Sequence, residues 1–223
     1  MKKAVVLLSG GMDSAVCAAI AKEKGCELCA LTVDYGQKNR GEMKAAAEIA
    51  AALGARHLVI SSDLAAIGGS ALTDSGIEVP REAAKDVPVT YVPARNLVLL
   101  SLAAAWAEVL GAQSIYIGAN IRDYSGYPDC RRDFLRGFER TMNLGIKCRA
   151  KISVNAPLIM MKKSKIVEEA RRLNVDLSLT TSCYDPAGDG AAECGCCSSC
   201  LLRNKGILEA DSRGRGRREA SNE

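Results

Sequence analysis

Ala4-Val5-Val6-Leu7-Leu8-Ser9-Gly10-Gly11-Met12-Asp13-Ser14 is the stretch from which the fold can be read. Five apolar residues in a row, Ala4–Leu8, suit a short strand buried on both faces. The two glycines that follow let the backbone turn sharply and come close to a ligand. Asp13–Lys24 then reads as a helix, closed by Gly25. A strand, a glycine turn and a helix start in that order make a concave array of backbone N–H donors, reinforced by the helix's positive end. Ser9 and Ser14 add hydroxyls to the same place. The chemistry suits a polyanion, although a plain turn capped by Ser9 or Asp13 would use the same residues. It is neither of two familiar glycine loops, since Gly-Lys and G-x-G-x-x-G are both absent from the chain.

The pattern repeats outward from this turn. Leu28–Val33, His57–Ile60 and Ser114–Ile117 read as further strands, with a short one near Ile152–Val154. Glu42–Leu53 and Leu97–Leu110 read as helices closed by Gly54 and Gly111, followed by helices at about Arg131–Leu144 and Lys163–Leu173. Such alternation specifies an α/β fold, a Rossmann-like parallel sheet flanked by helices. Ligands then gather at the carboxyl ends of the strands. Ser61–Val92 has no period and is long for a connector, which makes it a lid, a binding loop or a disordered insert.

Composition narrows the function. The chain has 223 residues, 48% hydrophobic and 25% charged, with a formal net charge of +4. That describes an ordinary soluble globule, and no apolar run reaches membrane-spanning length. The start, Met1-Lys2-Lys3, is too short for a signal peptide, so a cytoplasmic location is expected. A single histidine, His57, leaves no comfortable Ser-His-Asp or Cys-His engine and no site with two histidine ligands. Residues 211–223 carry four arginines against three acids and few apolar residues, as in a disordered basic tail. A weak net charge requires no nucleic-acid partner.

Ten cysteines in a chain without an export signal point to metal rather than to disulfides. Cys183, Cys194, Cys197 and Cys200 have the short spacings of a tetrahedral structural zinc site closed to water. An iron–sulfur cluster also accepts four cysteines, and Cys196 is a fifth thiol in the same knuckle. The expected division is an α/β domain over 1–180, a four-cysteine segment packed on it over 181–210, and the tail from 211 to 223. Cys17, Cys26 and Cys29 suit small buried hydrophobes.

Ser9-Gly10-Gly11-Met12-Asp13-Ser14 resembles the SGGxDS pyrophosphate loop of the ATP pyrophosphatases, a superfamily with the adenine nucleotide alpha hydrolase-like fold. The resemblance implies that a substrate oxygen attacks the α-phosphate of ATP, releasing pyrophosphate, and that Leu8–Ser14 (Leu8, Ser9, Gly10, Gly11, Met12, Asp13, Ser14) holds the nucleotide with Mg²⁺. Six further runs narrow the branch: Asp34-Tyr35-Gly36-Gln37, Val92-Pro93-Ala94-Arg95-Asn96, Gly118–Arg131 with its Gly126-Tyr127-Pro128-Asp129-Cys130-Arg131, Ala156-Pro157-Leu158, Ser182-Cys183-Tyr184, and Cys194–Arg203. Together they resemble the 7-cyano-7-deazaguanine synthases, from residue 4 to about 205.

That likeness implies a homodimeric carbon–nitrogen ligase. It would convert 7-carboxy-7-deazaguanine, ammonia and two ATP into the nitrile precursor of queuosine, through an acyl adenylate and an amide. One structural Zn²⁺ per chain and no membrane or obligatory nucleic-acid partner are implied. Arg95, Lys163 and Asp123 become the expected catalytic residues. Tyr35, Gln37, Asn96, Asn120, Tyr127 and Asp129 become the expected substrate contacts, with Asp123 and Asp129 suited to the donor-rich guanine edge or, equally, to a turn or helix cap. Tyr35, Tyr124 and Tyr127 suit stacking on a base or filling the core. Where the family commonly has Arg-His after Tyr-Gly-Gln, this chain has Lys38-Asn39, keeping the charge and the following Glu42. A relative that adenylates another carboxylate or a tRNA base is the rival enzyme. In a thiolating relative, Cys130 would be the thiol to watch. A non-catalytic zinc module that binds RNA through the basic tail is the other alternative.

Overall fold

The computed structural model describes residues 1–81, 86–122, 126–147, 150–186 and 193–220, with side chains as far as Arg213. Five parallel strands, β1 (Lys2–Leu7), β2 (Cys26–Asp34), β3 (Arg56–Ser61), β4 (Ser114–Tyr116) and β5 (Ser153–Asn155), form one sheet in the order β3-β2-β1-β4-β5. Helices α1 (Met12–Glu23), α2 (Gly41–Leu53), α3 (Arg95–Leu110), α4 (Arg132–Gly145), α5 (Lys163–Arg172) and α6 (Ser198–Ala220) flank it.

The unbroken apolar run around β1 follows from its central place in the sheet. Val5 and Leu7 pack on one face with Leu31, Leu100, Trp106 and Ile115. Ala4, Val6 and Leu8 pack on the other with Val16, Ala46, Ile166 and Ala210. A period of two distributes one strand between two cores. The strand order reverses between β1 and β4, so a crevice opens at their carboxyl ends, the expected ligand position for such a sheet.

The C-terminal end differs from the sequence expectation. Residues 198–220 form one helix, α6, packed on α5, and Ala210 is buried in the body's own core. The expected boundary at 210 and the irregular tail beyond it give way to helical backbone as far as Ala220. The physical reason lies in α5: Arg171 pairs with Asp211 at 2.6 Å, and Glu168 accepts from Arg213 at 3.5 Å. Acids and bases that a count along the tail would call solvated face partners 40 and 45 residues away. Residues 221–223 lie outside the described residues.

The aperiodic segment after β3 is tied down where it is described. Lys38 donates its backbone N–H to Leu72 O and its Nζ to Ile77 O, each at 2.9 Å. Ala71 and Val79 are buried against Cys183, Cys197 and Cys200. The segment therefore roofs the cysteine cluster. Among the described residues no helix is long and apolar enough to cross a membrane.

Candidate functional site

The glycine turn between β1 and α1 is braced by its own side chains. Ser14 Oγ donates to Gly11 O at 2.8 Å and accepts from Ser9 N–H at 3.2 Å, with Ser9 Oγ 3.1 Å away. Gly10 holds φ +85, and a Cβ there would stand 2.3 Å from Glu42 O, so only glycine lets the turn lie against the start of α2. On the other side, a Cβ on Gly118 would meet the Asp13 carbonyl carbon and Ser14 N at 2.9 Å, so the chain leaving β4 also presses on the first turn of α1. Asp13 holds Lys163 Nζ with both carboxylate oxygens at 2.9 Å.

A cavity of about 220 Å³ opens beside this turn at the ends of β1, β2 and β4. Leu8, Ser9, Gly11, Met12, Asp13 and Ser14 contribute to its wall, while Gly10 serves the turn from behind. Arg95 and Lys163 both line it, as do Tyr35, Gln37, Asn96, Asn120 and Tyr127. Arg95 begins α3 just after Ala94, whose φ of 53 places a non-glycine residue in the left-handed region at the mouth of the site. Its guanidinium lies 5.6 Å over the Tyr35 ring and donates to Tyr35 Oη at 3.2 Å. Burial opposes its charge, but the phenols of Tyr35, Tyr127 and Tyr184 keep it more basic than an ordinary arginine.

Several expected contacts turn out to brace the wall. Asn120 Nδ2 donates to Leu158 O at 2.9 Å and Met161 O at 2.7 Å, fixing the approach to α5 and hence Lys163. Gln37 Oε1 accepts from Tyr35 N–H at 2.9 Å, and Tyr127 Oη lies 2.8 Å from Thr90 Oγ1. Asp129 is not among the residues lining the cavity: its carboxylate accepts the Asn96 N–H at 3.0 Å, capping the first turn of α3. Asp123 and Tyr124 lie outside the described residues. Cys130 lines the cavity, and burial pushes its thiol up to about 11, which leaves it unionised. His57 Nε2 sits 2.8 Å from Oγ1 of Thr32, which lines the cavity while His57 does not.

Two features of the wall were not assigned to the site from sequence. Glu42, in the first turn of α2, lines the cavity, and burial drives its carboxyl up to about 7 against the lowering influence of Arg95 and Gln37. Thr181, Ser182, Tyr184 and Ser199 reach the same space from the C-terminal segment. Glu42 carried a faint signal, as an acid one residue into a helix starting beside the turn. Ser199 carried none, being a spacer between two cysteines.

The cysteine cluster explains how that wall is held. Sγ atoms of Cys183, Cys194, Cys197 and Cys200 all lie within 4.8 Å of one another, while Cys196 is exposed and outside the group. A tetrahedral ion with bonds of about 2.3 Å to sulfur needs sulfurs about 3.8 Å apart, so this set fits one metal ion. Backbone N–H groups of Cys194 and Cys197 point at the sulfurs of Cys183 and Cys194 at 3.3 Å, the arrangement that favours thiolate ligands. Burial raises the Cys194 thiol, but the N–H groups of Cys196 and Cys197 outweigh it and bring the group down to about 6. Asn39, just before α2, ties the cluster to that helix by donating to Cys183 O at 2.8 Å and Thr181 Oγ1 at 3.3 Å. Arg203 on α6 donates to Thr180 Oγ1 at 2.7 Å, Leu177 O at 2.8 Å and Ser182 Oγ at 3.2 Å. Thr181 N–H then donates to Gly10 O at 3.0 Å, joining the cluster to the glycine turn.

The geometry can be set beside known proteins. The family described as queuosine biosynthesis protein QueC matches residues 3–211. A 7-cyano-7-deazaguanine synthase of Solidesulfovibrio magneticus is 52% identical, covering 94% of this chain and 92% of that one. Its counterpart in Stenotrophomonas maltophilia is 53% identical, over 94% of this chain and 96% of that one. A solved 4-thiouridine synthetase, in an RNA complex with bound ATP, is similar with a TM-score of 0.50 at 20% identity, over 94% of this chain and 50% of that one. That last likeness is one of fold.

Proposed function

The chain belongs to the QueC family of queuosine biosynthesis proteins, and we propose that it makes 7-cyano-7-deazaguanine by ATP-dependent ligation. The substrates are 7-carboxy-7-deazaguanine, ammonia and two ATP. A carboxylate is a poor electrophile, so one ATP converts it to an acyl adenylate that ammonia attacks. The second ATP activates the resulting amide on oxygen, and departure of that oxygen with AMP leaves the nitrile. Neither step needs a protein nucleophile, in keeping with a cavity wall whose thiol, Cys130, is unionised. The work left to the protein is placement and charge stabilisation.

The observation that carries this reading is the Ser9–Ser14 turn at the sheet's reversal point, with Arg95 and Lys163 in the same cavity. Backbone N–H groups at the start of α1 suit the departing pyrophosphate. Lys163, steered by Asp13, supplies a cation on that side, and Arg95 supplies one for the substrate carboxylate or the α-phosphate. Asp13 is the residue suited to Mg²⁺, which would neutralise phosphate charge. Cys183, Cys194, Cys197 and Cys200 would hold Zn²⁺, whose role there is structural because four thiolates leave no open position. The reading includes a cytoplasmic homodimer, where thiols remain reduced.

Purified protein with Mg²⁺-ATP, ammonium and 7-carboxy-7-deazaguanine is expected to give the nitrile by mass spectrometry. Ser14→Ala, which removes the brace to Gly11 O, is expected to slow ATP turnover by about 10- to 100-fold while melting within a few degrees of the parent. ATP consumed only with a different acid would move the assignment to another substrate.

A further inference from the structure

Making a nitrile from ammonium means stripping four protons from one nitrogen, and the cavity must hold a group that takes them. Among the described residues lining it, the carboxylates are Asp13 and Glu42. Asp13 has both oxygens on Lys163 at 2.9 Å. The Cys130 thiol and the Tyr35 phenol are pushed up by burial to about 11 and about 12, too high to be ionised at neutral pH. The single imidazole, His57, does not itself line the cavity; it lies behind Thr32, which does, bonded to its Oγ1.

From this placement we propose that Glu42 is the general base that removes protons from the reacting nitrogen, a role that rests on the nitrile-forming reading above. In the first half, ammonium gives one proton to the Glu42 carboxylate and becomes ammonia. Ammonia's lone pair forms the C–N bond, the C–O bond to AMP breaks, and a second proton leaves nitrogen for Glu42. In the second half, the amide oxygen bonds to the α-phosphorus of ATP and pyrophosphate departs. Glu42 then takes the remaining N–H protons in turn, the N–H electron pairs become C–N π bonding, and the C–O bond breaks with its pair leaving on AMP. Between steps the carboxyl returns its proton to water. No oxidant or reductant enters.

The surroundings suit that cycle. Glu42 opens α2, whose start is pressed against Gly10, so its side chain works beside the phosphate turn. The charged and titratable groups facing it are Arg95 from α3 and the Tyr35 phenol after β2, with the Asp13–Lys163 pair from α1 and α5 lining the same cavity. From β3 and the 177–179 turn, no titratable group among the described residues lines the cavity. With burial raising the carboxyl to about 7, it can both accept a proton and release it near neutral pH.

The test separates this role from the reading it rests on. Pyrophosphate exchange into ATP, driven by 7-carboxy-7-deazaguanine without ammonium, reports carboxylate activation alone. Conversion of the matching 7-carboxamide to nitrile reports proton removal, free of ammonium's own titration. Wild-type protein is expected to do both, and its amide reaction to lose rate on the acid side with a midpoint near 7. Glu42→Gln is expected to keep exchange within about threefold, slow amide conversion by at least about 100-fold, and lose the acid limb. Glu42→Asp, which keeps a carboxylate, is expected to retain the limb at reduced rate. Failure of wild-type exchange would sink the ligase reading itself. With wild type active, an unchanged amide rate or acid limb in Glu42→Gln overturns the base assignment. So does loss of exchange in parallel with nitrile formation, which would make Glu42 a binding group. Should Glu42→Gln fail to fold, an acid limb in Glu42→Asp identical to wild type in rate and midpoint also overturns it.

Discussion

The glycine turn and the cysteine–α6 region both wall the same cavity, yet they are built in opposite ways. The turn is closed by bonds between residues two to five apart, such as Gly11 N–H to Ser9 Oγ and Ser9 N–H to Ser14 Oγ. The C-terminal wall is held by bonds that span the chain, such as Asn39 to Cys183 across 144 residues. Two segments can therefore share one site when one carries its shape locally and the other acquires shape only by docking. The first survives in a short motif; the second depends on the whole body.

Losing the cluster should break the contrast most visibly. Cys200→Ser, or stripping the proposed zinc with a chelator, is expected to lower stability by about 4 kcal/mol or more and the melting point by about 10 °C. Activity should fall at least about 100-fold, because Thr181, Ser182 and Ser199 lose their support. Measuring melting and ATP affinity together checks this, and apo protein that binds ATP as tightly as holo protein would show the turn to be self-sufficient.

A smaller effect is expected where the two regions touch. A Cβ on Gly206 of α6 would stand 2.5 Å from Lys163 Cγ and 2.9 Å from Lys163 Cβ. Gly206→Ala should cost about 1–3 kcal/mol by overpacking, partly offset by up to about 1 kcal/mol of helix propensity. The displaced Lys163 should raise KM for ATP about tenfold with metal content unchanged. An unaltered KM would mean that α6 supports the body without steering the cation.

The smallest effect is expected at the far end of α6. Arg171 and Asp211 are each nearly half exposed, so Asp211→Ala should cost only about 0.2–1 kcal/mol. The loss should vanish in about 1 M salt, where exposed charges are screened. A salt-independent loss would point to packing as the cause.

The same contrast explains how much could be read from the chain alone. The sheet and the first five helices fall within two residues of their expected bounds, because apolar period and closing glycines are local signals. Arg95 and Lys163, named through the family likeness, both stand at helix starts and both line the cavity. Asp129 stayed open between a guanine contact and a helix cap, since a carboxylate capping a helix 33 residues away looks the same in sequence as one waiting for a base. Glu42, noted only as retained after Tyr-Gly-Gln, was not assigned to the site for a related reason: an acid in a first helical turn is ordinary, and only its half-buried place beside the cavity sets it apart. The extension of α6 past 210 was hidden because its ion partners lie on α5.

Gly206 resting on the stem of Lys163 has a consequence for the order in which the molecule becomes competent. The turn proposed to cradle phosphate leaves the ribosome well before the helix that backs Lys163, which emerges nearly two hundred residues later. A nascent chain thus displays the nucleotide motif long before it can grip a nucleotide. Half-made protein should neither sequester ATP nor hydrolyse it idly.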